Sequence, residues 1–137
     1  MQGQTHMSNP ISVPISYGEL FDKISILEIK AERLTDMAKL ENVNDELRLL
    51  KEVVHRMVMD DALQVDAIFR KLKGVNQMIW EVEDKIRDFE RRKAFDSEFI
   101  EAARSIYRLN DQRASIKREL NVMTSSQIVE EKSYSEY

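Results

Sequence analysis

Six side chains in one stretch of the sequence could do chemistry together: Arg104, Tyr107, Arg108, Asn110, Asp111 and Arg113. Arg104 and Arg108 are four apart, so a helix would place both guanidinium groups on one face, where like charges ordinarily repel. Adjacent guanidinium forks suit a phosphate, a carboxylate or a partner's acidic side chain. The group is therefore a candidate site for a small anion, a nucleotide or a sugar nucleotide. Asp111, three residues beyond Arg108, can pair with it. The competing reading is structural. Asn110 and Arg113 would then pair with carboxylates of the chain itself, the candidates being Glu28, Glu32, Glu130 and Glu131, as buried polar groups that set register do.

Carboxylates form the second constellation. Glu28 and Glu32 are four apart, and Glu81 and Asp84 three apart. Facing helices can bind a metal through such pairs, and hard cations such as Mg²⁺ accept oxygen ligands. Helical Mg-dependent nucleotide pyrophosphohydrolases use E-x-x-E…E-x-x-D. Glu81-Val82-Glu83-Asp84 matches only half of that pattern, because Glu28 and Glu32 are spaced E-x-x-x-E. In a chain with 25 acids, solvated helix-face charge is the plainer reading, and no metal or other cofactor is expected. No Cys exists, which removes disulfides, thiolate metal sites and Cys nucleophiles. His55 is the only histidine outside the first residues and has no second His to bind a metal with. Trp80 reads as a core or interface anchor, and Met57, Met59 and Met78 as gap-fillers. No Gly-rich phosphate loop is present. No catalytic residue is assigned.

The elements that position these groups follow from composition. The 137 residues suit a single domain. Both prolines, Pro10 and Pro14, and two of three glycines fall within the first 18 residues, leaving only Gly74 beyond Glu19. Sheet folds need many turns rich in Gly and Pro. The class expected is therefore all-α, a bundle of about four helices. A net charge of −4 argues against nucleic acid as a partner. No apolar run reaches the roughly 20 residues of a membrane span, and no secretory signal opens the chain, so a cytoplasmic setting is expected. Residues 1–10 read as a leader, disordered or left by cloning, since His6-Met7 is a common vector junction. Residues 11–137 form the helical domain.

Ile11, Val13 and Ile15 alternate with polar residues and predict an extended arm lying across the helices. Ser16-Tyr17-Gly18-Glu19 has capping-box spacing, and Leu20, Ile24, Leu27, Ala31 and Leu34 give the first helix its seam. Asp36 caps the second, whose seam is Leu40, Val43, Leu47, Leu50, Val54 and Met57. After a break at Met59-Asp60-Asp61, Val65, Ile68, Leu72, Val75, Ile79, Val82, Ile86 and Phe89 keep one coiled-coil-like seam. That phase predicts one long helix, continuous through Gly74. Lys85, Arg87, Arg91, Arg92 and Lys93 near its end complement the helix dipole. Asp96 or Ser97 caps the fourth helix, with Phe99, Ile100, Ala103, Ile106 and Tyr107 facing inward. Stepping 4-3-4-3 from Ile106 gives Asn110, Arg113, Lys117 and Leu120, a polar interruption of the seam. Ile128, Val129 and the tail glutamates predict a docked C-terminal tail. The third helix's seam is longer than the first or second helix can cover, so a homodimer is expected.

The runs Ile11-Ser12-Val13-Pro14-Ile15-Ser16-Tyr17-Gly18-Glu19-Leu20-Phe21-Asp22-Lys23-Ile24-Ser25-Ile26-Leu27-Glu28-Ile29-Lys30, Tyr107 to Asn121, and Glu130-Glu131-Lys132-Ser133-Tyr134 resemble a small family of uncharacterised bacterial proteins of this length. The resemblance transfers no catalytic residue. It implies a bacterial cytoplasmic setting and an accessory role in cell-surface polysaccharide biosynthesis. The function expected is a non-catalytic structural or protein-interaction module. The alternative is an anion- or nucleotide-binding protein, or a helical Mg-dependent nucleotide hydrolase, built on the Arg104–Arg113 group.

Overall fold

Four helices follow one another along the chain: α1 (Tyr17–Arg33), α2 (Met37–His55), α3 (Ala62–Arg91) and α4 (Ser97–Met123). The structure, a computed structural model, describes residues 9–126, 130, 131 and 136. Among these no strand occurs, and the fold is an all-α bundle.

The helix starts follow the expected chemistry. Ser16, Asp36 and Asp96 accept from the backbone N–H groups of Glu19, Lys39 and Glu98. The capping box at Ser16 is only half used, because the Glu19 carboxylate reaches outward to Lys117 at 2.7 Å. α3 and α4 stop without glycine. Lys93 and Ser125 take left-handed backbone at φ 55° and 54°. Each is followed by an N–H that bonds five residues back, Ala94 to Phe89 and Ser126 to Asn121, at 2.9 and 2.8 Å. Both ends are Schellman motifs.

α3 and α4 form a long antiparallel hairpin, with α1 laid against both and α2 approaching closely only α1. The core lies where α1, α3 and α4 meet, around Phe21, Val65, Leu72, Leu109, Ile116 and Leu120. α3 is one helix through Gly74, as its unbroken phase predicts.

Two local expectations are corrected. The arm does not lie across the helices: Ile11, Val13 and Ile15 are 90%, 65% and 38% exposed. Both broad faces of α1 that it could have covered are taken by the other helices. The inward stripe of α4 is also shifted. Stepping three rather than four from Ile106 gives Leu109, Arg113, Ile116, Leu120 and Met123, so only Arg113 interrupts the α3-facing seam. Ile100, Ala103 and Tyr107 point outward instead. Ile128 and Val129, on which tail docking was to rest, lie outside the described residues.

Candidate functional site

The polar residues at the centre of the molecule come from three helices: Asp22 and Ser25 of α1, Asn76 of α3 and Asn121 of α4. Gly18, Asp22 and Ser25 recur every three or four residues, so they share the face that α1 turns toward α3 and α4. Asp22 is 1% exposed. Its carboxylate accepts from Arg113 through both Nε and Nη2, a bidentate fork. It also accepts from Asn76 Nδ2 at 2.9 Å. The same Asn76 nitrogen donates to Ser25 Oγ at 2.7 Å, and Ser25 donates to the Asp22 carbonyl at 2.8 Å. One network therefore joins α1, α3 and α4. Among the described residues no buried side-chain nitrogen or oxygen lacks a partner.

Burial pushes the Asp22 carboxyl up. The hydrogen bonds from Arg113 and Asn76 and the nearby positive charge outweigh it and hold the group below its ordinary value. The Asp22 hydrogen bond correspondingly raises Arg113.

A second network closes the N-terminus of α1. Gly18 N–H donates to Asn121 Oδ1 at 2.7 Å, and Asn121 Nδ2 donates to Glu130 at 3.0 Å. Ser16 Oγ donates to the other Glu130 oxygen at 2.6 Å. Lys117 bridges Glu19 and, at 3.9 Å, Glu130. Burial raises the Glu130 carboxyl, but bonds from Ser16 and Asn121 bring it below its ordinary value. Gly18 permits this contact: a Cβ there would lie 2.5 Å from the Lys117 carbonyl oxygen. Glycine is required for the close approach of two backbones, not for its turn-forming freedom.

Of the sequence-identified arginines, Arg104 and Arg108 stay together and Arg113 stands apart from them. Arg113 lies inside against α1. Arg104 and Arg108 project from the outer surface of α4, sharing Glu101 at 3.7 and 3.6 Å. Arg108 also lies over the Tyr107 ring, 6.0 Å from its centre. Asn110 and Asp111 are half-buried on α4. The expected partners change too. Arg113 pairs with Asp22 rather than Glu28 or Glu32. Those two pair with Lys73 of α3 at 3.1 and 2.8 Å, and Glu28 also with Lys51 at 3.4 Å. Of the tail glutamates, Glu130 caps α1 and Glu131 pairs with Arg118 at 2.9 Å.

Glu81 pairs with Arg33 at 2.9 Å, and Asp84 stands exposed on α3. Neither faces Glu28 and Glu32 across a shared point. Among the described residues no three potential ligands converge for a metal.

Two surface features were not singled out from the sequence. One is an open cleft of about 340 Å³ between α1, α2 and the start of α3, floored by Ile24, Val54, Val65 and Phe69, with Lys51 and His55 at its mouth. The other is the far half of the α3–α4 hairpin, where α1 no longer covers the seam. Half-buried Ile86 and Ile106 lie there beside exposed Ile100 and Tyr107, past Ile79 and Val82, which still pack against the core.

The arrangement as a whole binds helices to one another. Half-buried Arg113 is paired with Asp22, and Arg104 and Arg108 share Glu101 on the surface of α4. No helix among the described residues is long and apolar enough to cross a membrane.

No curated protein and no solved structure matches this chain. A family model does match, over residues 11–137. That match takes in the Ser16–Asp22 cap, the Arg113–Lys117 stripe and the Glu130 contact alike, and the chain belongs to the family of unknown function DUF6165.

Proposed function

We propose that this protein is a cytoplasmic, non-catalytic interaction module that self-associates through the long α3 helix, accessory to bacterial cell-surface polysaccharide biosynthesis. One observation carries the self-association: the apolar seam of α3 runs past the end of α1. At about 1.5 Å per residue the 30 residues of α3 reach about 45 Å and the 17 of α1 about 25 Å. Beyond α1 the hairpin is covered on one side only, leaving Ile86 and Ile106 half-buried, apolar surface that a second helix would bury. The engagement of Arg113 by Asp22 supports the non-catalytic part of the reading, because it takes that half-buried cation away from a ligand.

The alternative, a small-anion or sugar-nucleotide site or an Mg-dependent hydrolase at Arg104, Arg108 and Arg113, draws no support from the placement of Arg113 away from the other two. A thermal-shift screen with nucleotides, sugar nucleotides, phosphate and Mg²⁺ decides between the two. We expect no ligand-specific rise in Tm. A rise that Arg104→Ala and Arg108→Ala abolish would favour the alternative.

A further inference from the structure

Two antiparallel helices make a groove, and α1 fills only half of the one between α3 and α4. Asn76 marks the α1 side of α3, since it donates to Asp22 and Ser25. Glu83 is seven residues on, two helical turns, and so faces the same way. Trp80 and Arg87 flank it, three before and four after. On α4, Arg113 and Lys117 mark the α1 side. Seven residues back from them lie Ile106 and Asn110. The empty half of the groove thus has half-buried Ile86 and Ile106 for a floor and half-buried Trp80 on its wall.

We propose that the α3 helix of a second copy occupies this half-groove, running antiparallel about a two-fold axis near residue 85. The proposal rests on the self-associating reading above and names its surface and its geometry. Three features favour another copy. First, the groove already accepts a helix in its near half, and the far half continues it with the same heptad step. Second, its charges complement themselves. Glu83 contributes to raising Arg113 through space, and neither Glu83 nor Arg87 has an ion pair with the described residues. An antiparallel two-fold at residue 85 sets Glu83 opposite the partner's Arg87, twice per dimer, which is the reciprocity an isologous interface demands. Third, this direction sends the α1–α2 ends of the two copies to opposite poles, where they do not collide. The result is a central four-helix bundle built from two hairpins.

The single tryptophan makes the test direct. In the unaltered chain, light scattering across a dilution series should fall from twice 16.1 kDa to 16.1 kDa. Trp80 emission should move to longer wavelength over the same concentrations. Arg87→Glu and Glu83→Arg should each weaken dimerisation by about tenfold or more, because like charges then face each other. Mixed in equal amounts, the two variants should restore the dimer, since each supplies the charge the other needs. Circular dichroism checks that both remain helical, and the Trp80 readout stands even if one does not.

A mass of 16.1 kDa at every concentration would overturn both the proposal and the self-associating reading. A dimer that both variants form as well as the unaltered chain would overturn only this surface. So would a dimer that dissociates without any change at Trp80.

Discussion

Asp22 is the residue on which the account of the interior turns. Replacing it by Asn would leave the Arg113 guanidinium beside a neutral partner, and breaking a buried pair from one side costs about 3 kcal/mol. Arg113→Met should cost a similar amount by stranding the carboxylate. The double variant should recover much of the loss, and urea unfolding of all four chains measures that coupling. The pH dependence has a definite sign. The folded carboxyl titrates below its ordinary 3.8, so its contribution is complete above pH 3.8 and is lost as pH falls through the lower folded value. Acid unfolding of Asp22→Asn should therefore show a shallower fall in stability below pH 3.8 than the unaltered chain. Arg113 was legible as a misfit on an apolar seam. Asp22 was not, because an acid between Phe21 and Lys23 looks like any solvated helix position. Only the register of α1 on α4, set where Gly18 meets Lys117, tells it from Glu28 and Glu32.

Among the elements, two glycines make opposite predictions. Gly74→Ala should stabilise by up to about 1 kcal/mol, since nothing lies within 4 Å of the added Cβ and alanine favours helix. Gly18→Ala should destabilise by about 1–3 kcal/mol despite the same propensity gain. Its Cβ would press on the Lys117 carbonyl and, at 2.9 Å, on Asn121 Oδ1. Thermal melts of the two variants should shift in opposite directions. Lys93→Gly should raise stability by about 1 kcal/mol, because lysine holds a left-handed backbone there that glycine adopts freely. Helix starts were legible, since Ser16, Asp36 and Asp96 carry the capping chemistry in their own side chains. The seam of α4 was misphased because after Ile106 both a three-step and a four-step keep a helical period. Leu109 against Asn110 was the deciding pair, and choosing it needed the position of α3. The polar stripe then found its place as the α1-facing side.

For the whole molecule, near-absence of Gly and Pro after residue 18 was enough to fix the all-α class. Composition could not say which seam stays uncovered. Coverage depends on how far α1 reaches along α3, and that is decided by the Gly18 contact at one end and the Arg33–Glu81 pair at the other. The same placement leaves α2 resting on α1 and opens the cleft by His55. The apolar overhang of the α3–α4 hairpin is thus a consequence of two local contacts, and it is the feature from which the function is read. The most direct test of that reading is the solution mass of the unaltered chain by light scattering at micromolar concentration. The account predicts twice 16.1 kDa; a mass of 16.1 kDa would contradict it.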